Sequence, residues 1–552
     1  MARGLGLDRT RMSDVPASPG AAGGNPRSGA GDDPIGRQIA RNSILSLAGR
    51  FTQVAGWVVI APYMLHSLGA ERFGLWSLLT VISGLYMTFD LGVGSALTKF
   101  VAEYRATGDR AGLRSVYSMG VILYAALGLV IVAAFALFGG GLLGLLKITP
   151  QLQPEAGRAL LVAAAVYGLL NLYMLTASVL TGLHRMDVWN RISIGVTLLQ
   201  LAGVLLVLRL GGGLVALMLN TGVTLAIGAL LGRLAIRRLA PEIGFDTRAF
   251  TPGLFTRLTR YSAALQVINL GVLVQFQLDK VLLGAMVSLA AVASFEFGLR
   301  VVSALWSLPS LLLPPLIPAV AHLDAVGDRE RLRRLYRRAS RYVLAVAFPV
   351  AAGVIAVAPA LYRAWLGPGH DDAARAASAL AAMLGINILT GVGSALVRGM
   401  GRPGLEARYQ IIAIVLHLGL SLLLIPRFGF TGVLWALVAS TSIGSLYFVW
   451  SFHRFLGEPL PAFVRGVIAP PLVAAAIGAV LGAAVSGAFG SGLADASRAE
   501  ALIRLGLGGV VMVGATLGGL LLTRFLSVAE LRELFGMIRS RGGTPEAAGS
   551  SA

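Results

Sequence analysis

Four long apolar stretches carry polar side chains at the spacing of a single helix face. In the first, Ser46, Arg50, Gln53 and Trp57 fall at steps of four, three and four; in the second, Thr80, Ser83 and Asp90 share a face, with Met87 between the last two. A later stretch carries Ser262, Gln266, Asn269, Gln277 and Lys280, interrupted by Leu273, and the next carries Glu296, Arg300, Ser303, Ser307 and Ser310. Two kinds of chemistry are open to such sets. The cations Arg50, Lys280 and Arg300 can hold an anion, arginine through a fork of hydrogen bonds and lysine as a point charge. Around them Gln53, Gln266, Asn269 and Gln277 offer neutral polar contacts, and these seven are the candidate substrate-binding residues. The carboxylates of Asp90 and Asp279 can take a cation or a proton, which makes them candidate ion-coupling sites. A plainer reading stands beside each: Glu296 pairs with Arg300 at i, i+4, Asp279 sits beside Lys280, Asp90 lies near a helix end, and serines and threonines line helix contacts. Either way the charges need partners or water, because an Arg, Lys or Asp in hydrocarbon costs about 2.5 to 3.5 kcal/mol.

The elements that position these residues are membrane spans. Of 552 residues, 56% are apolar and 13% charged, and the mean hydropathy is +0.77. The apolar residues come in runs of about 18 to 25, the length a helix needs to cross hydrocarbon. About fourteen such runs are expected, among them 43–65, 75–97, 261–284, 289–319, 466–487 and 502–523. The net charge of +20 would suit a nucleic-acid partner, but most of the Lys and Arg residues lie in alternate loops and the two tails. That is the distribution that holds basic loops in the cytoplasm, so both termini are expected there and no nucleic acid is. With no cysteine and six scattered histidines, no metal site or thiolate chemistry is expected. No nucleotide-binding P-loop and no G-x-S-x-G is present, so the chain reads as a transporter rather than an enzyme, without a cofactor. Prolines 309, 314, 315 and 318, and further on 349 and 359, should kink or break their spans.

The chain also repeats itself. VAEYRATGDRAGLRSVY from Val101 and VAHLDAVGDRERLRRLY from Val320 match at nine positions at an offset of 219, and LTGLHR from Leu180 resembles VRGMGR from Val397. The expected organisation is a disordered cytoplasmic tail at 1–38, a first six-helix lobe at 39–235, a cytoplasmic linker at 236–260, a second six-helix lobe at 261–453, two peripheral helices at 454–525 and a cytoplasmic tail at 526–552. Because six is even, both lobes start on the same side of the membrane and are related by an axis along its normal, with a cavity between them as the default binding site. Between Val467 and Val485 the thirteenth run has no polar side chain at all, so the stripes belong to the repeat-related runs.

SLGAERFGLWSL from Ser67, FDLGVGSALTKFVAEYRATGD from Phe89 and QFQLDKVLLG from Gln275 resemble the polysaccharide-exporting flippases of the multidrug/oligosaccharidyl-lipid/polysaccharide exporter superfamily, over roughly residues 38 to 525. The resemblance implies a V-shaped all-α bundle in a bacterial plasma membrane, with helices 1, 2, 7 and 8 lining the cavity. It also implies a polyprenyl-diphosphate-linked oligosaccharide as substrate, membrane lipid around it, and a polysaccharide polymerase or export proteins as partners. An ion-coupled multidrug antiporter shares that fold and is the alternative, using Asp90 or Asp279 for coupling. A noncatalytic scaffold of an export complex is the third reading and would need no polar stripe. The cations here are offset by Asp90, Asp279 and Glu296, unlike the strongly cationic cavities of relatives.

Overall fold

The computed structural model describes residues 34–84, 93–246, 277–310, 312–402, 404–487, 497–525 and 527, with the side chains of 34–51, 82–84 and 498 excepted. Every regular element among them is helical, as a bilayer demands: with no water in the hydrocarbon, only a helix satisfies each backbone group within its own segment. In order these are α1 (Pro34–Gly84), α2 (Val93–Thr107), α3 (Arg110–Leu145), α4 (Gln153–Gly182), α5 (Met186–Arg209) and α6 (Leu214–Leu239), then α7, described over 277–286. There follow α8 (Leu289–Ser310), α9 (Leu316–Ala325), α10 (Arg329–Trp365), α11 (Asp371–Asn387), α12 (Gly391–Gly399), α13 (Gly404–Leu456), α14 (Leu460–Phe463), α15 (Ala469–Gly487) and α16 (Arg498–Leu522). Ten stretches among the described residues are long and apolar enough to cross a membrane, and the chain is an all-α, multi-pass membrane protein. α1 and α13 are each two arms joined at Gly69 and Gly429, whose backbones are non-helical.

α1 begins at Pro34, and proline suits a first turn because its missing N–H has no helical partner there. The proline-rich run after α8 breaks the helix, with Ser310 ending it and Leu316 starting α9. Pro349 and Pro359 do not break α10, which runs through both.

Turns alternate between two ends of the bundle. At one end, ion pairs and hydrogen bonds tie turn to turn: Arg105 Nη1 to Glu242 Oε1 at 2.7 Å, Arg333 Nε to the Leu456 carbonyl at 2.9 Å and Arg398 Nε to Glu406 Oε2 at 2.7 Å. Among the described residues, most of the arginines lie toward this basic face. At the opposite face, Glu155 accepts from Arg72 Nε (3.0 Å) and from the Leu214 amide (2.9 Å), and Lys147 Nζ donates to the Met286 carbonyl at 2.7 Å.

The stretches that match in sequence also match in form. Gly108 and Gly327 both have φ of 72°, a left-handed conformation that a side chain would strain. The following Asp109 and Asp328 each cap a helix, accepting from the amides of Gly112 (2.8 Å) and Arg331 (2.9 Å). At the second pair, a Cβ on Gly182 would meet the Thr98 carbonyl and one on Gly399 the Ile317 carbonyl, both at 2.8 Å; Thr98 and Ile317 are themselves 219 apart. α15 and α16 pack on each other and on α10, outside this pattern.

Candidate functional site

α8 is held by α11 at Gly298, where a Cβ would stand 2.7 Å from that of Ala376. That close approach turns Phe297 and Arg300 toward α1, and α1 and α8 pack along one another. Their contact is aromatic. Phe73 stacks on Phe297 (4.6 Å between centroids), and Trp57 sits 5.6 Å from Phe297 and 5.5 Å from Trp365. The seam has a backbone anchor as well. Pro62 lacks the N–H that would bond the Val58 carbonyl four residues earlier in the helix, and the Trp365 indole N–H fills that place at 2.7 Å. Toward the opposite face the helices are tighter still, with Gly74 against the backbone of Leu289, and Leu78 of α1 stands against Gly284 of α7.

A chain of charges lies where this seam ends. Glu296 is fully buried and takes Arg300 Nε on Oε1 and Lys280 Nζ on Oε2, each at 2.5 Å. Lys280 is buried too, whereas the Arg300 side chain is 42% exposed and its guanidinium lies over the Trp57 ring at 5.6 Å. One carboxylate therefore neutralises one of two cations and aims the other, leaving a net positive, hydrated fork at the junction of α1 and α8. Gln53, one turn from Trp57 toward the basic face, is exposed, and so is Ser303 below Arg300. The Trp57 indole Nε1 and Gln277 Oε1 are buried polar atoms without a hydrogen-bond partner among the described residues.

Asp279 lies apart from Lys280, its neighbour in sequence: Oδ1 meets His417 Nε2 of α13 at 2.7 Å, and both residues are buried. Ser440 Oγ stands 3.4 Å from His417 Nδ1. Beside them is a small cavity of about 20 Å³, room for one water, lined by Asn387, Gln410, His417, Ser440 and Thr441 among others. A larger cavity of about 370 Å³ shares Asn387, Tyr409 and Gln410 with it and extends to Arg398 and Glu406 at the basic face.

The sequence-derived candidates thus divide. Gln53 and Arg300 are both exposed, one a helical turn from Trp57 and the other over its ring, Lys280 serves Glu296, Gln277 is partly buried on α7, and Asp279 faces α13. Ser307 and Ser310 donate to carbonyls of their own helix, at 2.7 and 2.9 Å. The Arg50 side chain, Asp90, Gln266 and Asn269 lie outside the described residues. His417, Phe73, Phe297 and Trp365 are additions that the stripes did not single out. Among the described residues, no group of three or more His, Asp or Glu side chains could hold a metal ion.

Replacing Trp365 by phenylalanine keeps the ring contact but leaves the Val58 carbonyl unpaired. The closed seam should weaken by about 1 to 3 kcal/mol. A single cysteine placed at Leu78 in this cysteine-free chain should then react faster with an impermeant thiol reagent, and an unchanged rate would mean that the bond does not hold the seam.

The fold is shared with solved transporters. Lipid II flippase MurJ in an inward closed conformation superposes with a TM-score of 0.66 at 14% identity, covering 86% of this chain and 97% of that one. An inward-facing multidrug resistance MATE family transporter of the MOP superfamily gives 0.62 at 15% identity, covering 76% and 98%. No curated protein matches the sequence. The family described as polysaccharide biosynthesis protein matches residues 39–323, more than half of the chain. On that match, with the fold in agreement, the chain belongs to the polysaccharide biosynthesis protein family.

Proposed function

We propose that the protein is a flippase that carries a polyprenyl-diphosphate-linked oligosaccharide from the cytoplasmic to the outer leaflet of a bacterial plasma membrane for surface polysaccharide assembly. The observation that carries this reading is Arg300, a guanidinium tethered by Glu296 and exposed where the aromatic contacts between α1 and α8 end. A diphosphate fits such a fork, while Gln53 and the hydroxyl of Ser303 suit a hydrated sugar. A hydrated path between the two lobes would let the head group keep its water while the lipid tail stays outside. With the basic face assigned to the cytoplasm by its charge, as the positive-inside distribution would have it, this is the inward-facing end of an alternating cycle. A cationic drug would meet repulsion from Arg300, which disfavours the multidrug reading.

The test is reconstitution. Vesicles carrying the purified chain and a lipid-linked oligosaccharide on one leaflet should expose the sugar to an externally added lectin or glycosidase, and protein-free vesicles should not. Export of a cationic dye with no sugar movement would transfer the assignment to the antiporter.

Asp279 and His417 are the proposed coupling site, with the paired cavities as the path for a proton from the basic face. A gradient of one pH unit supplies about 1.4 kcal/mol per proton, a factor of ten in rate or equilibrium. Asp279→Asn should remove the acceleration that such a gradient produces in the parent while slow downhill flipping persists. If the variant responds to the gradient as the parent does, the coupling site lies elsewhere.

A further inference from the structure

Two interruptions in the helices meet toward the basic face. One is the proline-rich break between Ser310, which ends α8, and Leu316, which starts α9; the other is the short 3-10 turn Ile388–Thr390 between α11 and α12. They touch, since a Cβ on Gly391 would stand 3.2 Å from a methyl carbon of Leu313. In a bilayer, backbone outside a regular helix persists only where it is buried in protein or borders water, and transporters place binding sites at such interrupted helices. The cavity of about 370 Å³ lies at this meeting, within the range of about 300 to 1,000 Å³ usual for ligand pockets.

The lining suits a neutral ligand that brings hydrogen-bond donors. Among the described residues that line it, Arg398 and Glu406 are the two charged ones, and they neutralise each other through hydrogen bonds of 2.7 and 2.5 Å. An ion entering the cavity therefore finds no free counter-charge. Ser310 and Thr390 already donate their hydroxyl protons to the carbonyls of Trp306 (2.9 Å) and Asn387 (2.7 Å), so each oxygen has only acceptor capacity left. Asn387 donates from Nδ2 to Ser445 Oγ at 3.3 Å and keeps its carbonyl oxygen as an acceptor. Ser394 is different: it is 7% exposed, and its hydroxyl has no hydrogen-bond partner among the described residues. A buried hydroxyl is costly unless something in the cavity pairs it. Water would serve for that alone, but Trp306 and Tyr409 add ring surface to the same lining, from which water gains nothing.

We propose that this cavity binds a neutral saccharide, its hydroxyls donating to Ser310, Thr390 and Asn387 and pairing Ser394, with an apolar ring face against Trp306 or Tyr409. A sugar hydroxyl both donates and accepts, so one ring can serve the acceptors and the unpaired Ser394 together, while aromatic side chains take its C–H face. The site is separate from Arg300, which recognises charge. Trp306 and Ser310 follow it by six and ten residues on α8, about 9 to 15 Å nearer the basic face. Two sources carry such a sugar, the lipid-linked substrate of the proposed flippase and a free saccharide. Either one, bound here, would close the way from the basic face to the small cavity beside His417, so sugar and proton would enter by turns.

Because the chain has no cysteine, Ser394→Cys places a single reporter in the cavity, and Ser310→Cys is a second one should the first disturb folding. The full chain in nanodiscs is treated with a small thiol reagent in the presence of one of three probes: a lipid-linked oligosaccharide, the same oligosaccharide freed from its lipid, or polyprenyl diphosphate without sugar. A saccharide that fills the cavity should slow the reaction in proportion to its occupancy, about tenfold at ten times its Kd. Slowing by the lipid-linked probe alone assigns the site to the transported substrate. Slowing by the freed oligosaccharide as well assigns it to saccharide from either source, and the site then stands even if the chain flips no lipid. A cysteine at Val326, 61% exposed and outside the cavity, should react at one rate throughout. Equal slowing at Val326 would reduce the effect to the reagent. That result, equal slowing by polyprenyl diphosphate without sugar, or no slowing by any probe would each overturn the proposal.

Discussion

Replacing Arg300 by alanine should lower flipping of the lipid-linked sugar by about tenfold to a hundredfold, with the protein still present at its normal level in the membrane. The size follows from the net loss of one charge-assisted hydrogen bond to phosphate, about 1.5 to 3 kcal/mol. The intact level follows from the charge chain. Without Arg300, Glu296 still holds Lys280 at 2.5 Å, so the buried pair remains neutral. Lysine at 300 retains the charge but cannot form the fork or lie flat over Trp57, and should recover only a small part of the rate. Glu296→Gln is the opposite case. It leaves the buried Lys280 ammonium without a counter-ion, and breaking a buried pair in this way costs about 3 to 5 kcal/mol, so abundance should fall before any question of transport arises. The pair of results separates a residue that touches substrate from one that positions it. Full flipping by Arg300→Ala at normal abundance would return the whole stripe to helix packing, and with it the assignment of the cleft as the substrate path.

What the sequence made legible is whatever its periodicity encodes. Apolar runs of membrane length, the break in the proline-rich segment after Ser310, the matched turns at Gly108 and Gly327, and a charged face on α8 all follow from spacing within one element or from similarity between two. Partners across elements were not legible. Pairing of Asp279 with Lys280 is the plainer reading of neighbours in the chain, yet successive residues on a helix point about 100° apart, so Lys280 reaches α8 and Asp279 reaches α13. His417 shares a face with Gln410 and Ser421, a short polar stripe outside the four singled out; its meaning comes from Asp279, 138 residues away. The Trp365 to Val58 bond spans 307 residues, and it depends on a carbonyl that Pro62 leaves free, which only the packed seam connects to an indole. Serines at 307 and 310 could by spacing line a cavity or a helix contact; both bond carbonyls of their own helix, a choice that spacing cannot make.

A methyl group at Gly74 should trap the transporter with its seam apart. In the closed seam a Cβ on Gly74 would stand 1.8 Å from the Leu289 carbonyl oxygen. That atom belongs to backbone at the start of α8 and cannot rotate away as a side chain would, so α1 and α8 must separate by more than an ångström to admit it. Overpacking of this kind costs about 1 to 3 kcal/mol or more, and every 1.4 kcal/mol shifts a two-state equilibrium tenfold. Gly74→Ala should therefore move the population toward the open seam by about tenfold to a hundredfold, and Gly74→Val further. Folding should be spared, because the clash exists only between elements that must part during the cycle, while α1 itself gains helix propensity when glycine becomes alanine. The chain has no cysteine, so a single one at Leu78, buried in the closed seam against Gly284, reports the state directly. Its reaction with an impermeant thiol reagent added at the opposite face should quicken in the Gly74→Ala background, and flipping should fall by a comparable factor because the inward-facing cleft is visited less often. Unaltered labelling together with unaltered flipping would mean that α1 and α8 stay together through the whole cycle, and the gate would have to be sought elsewhere.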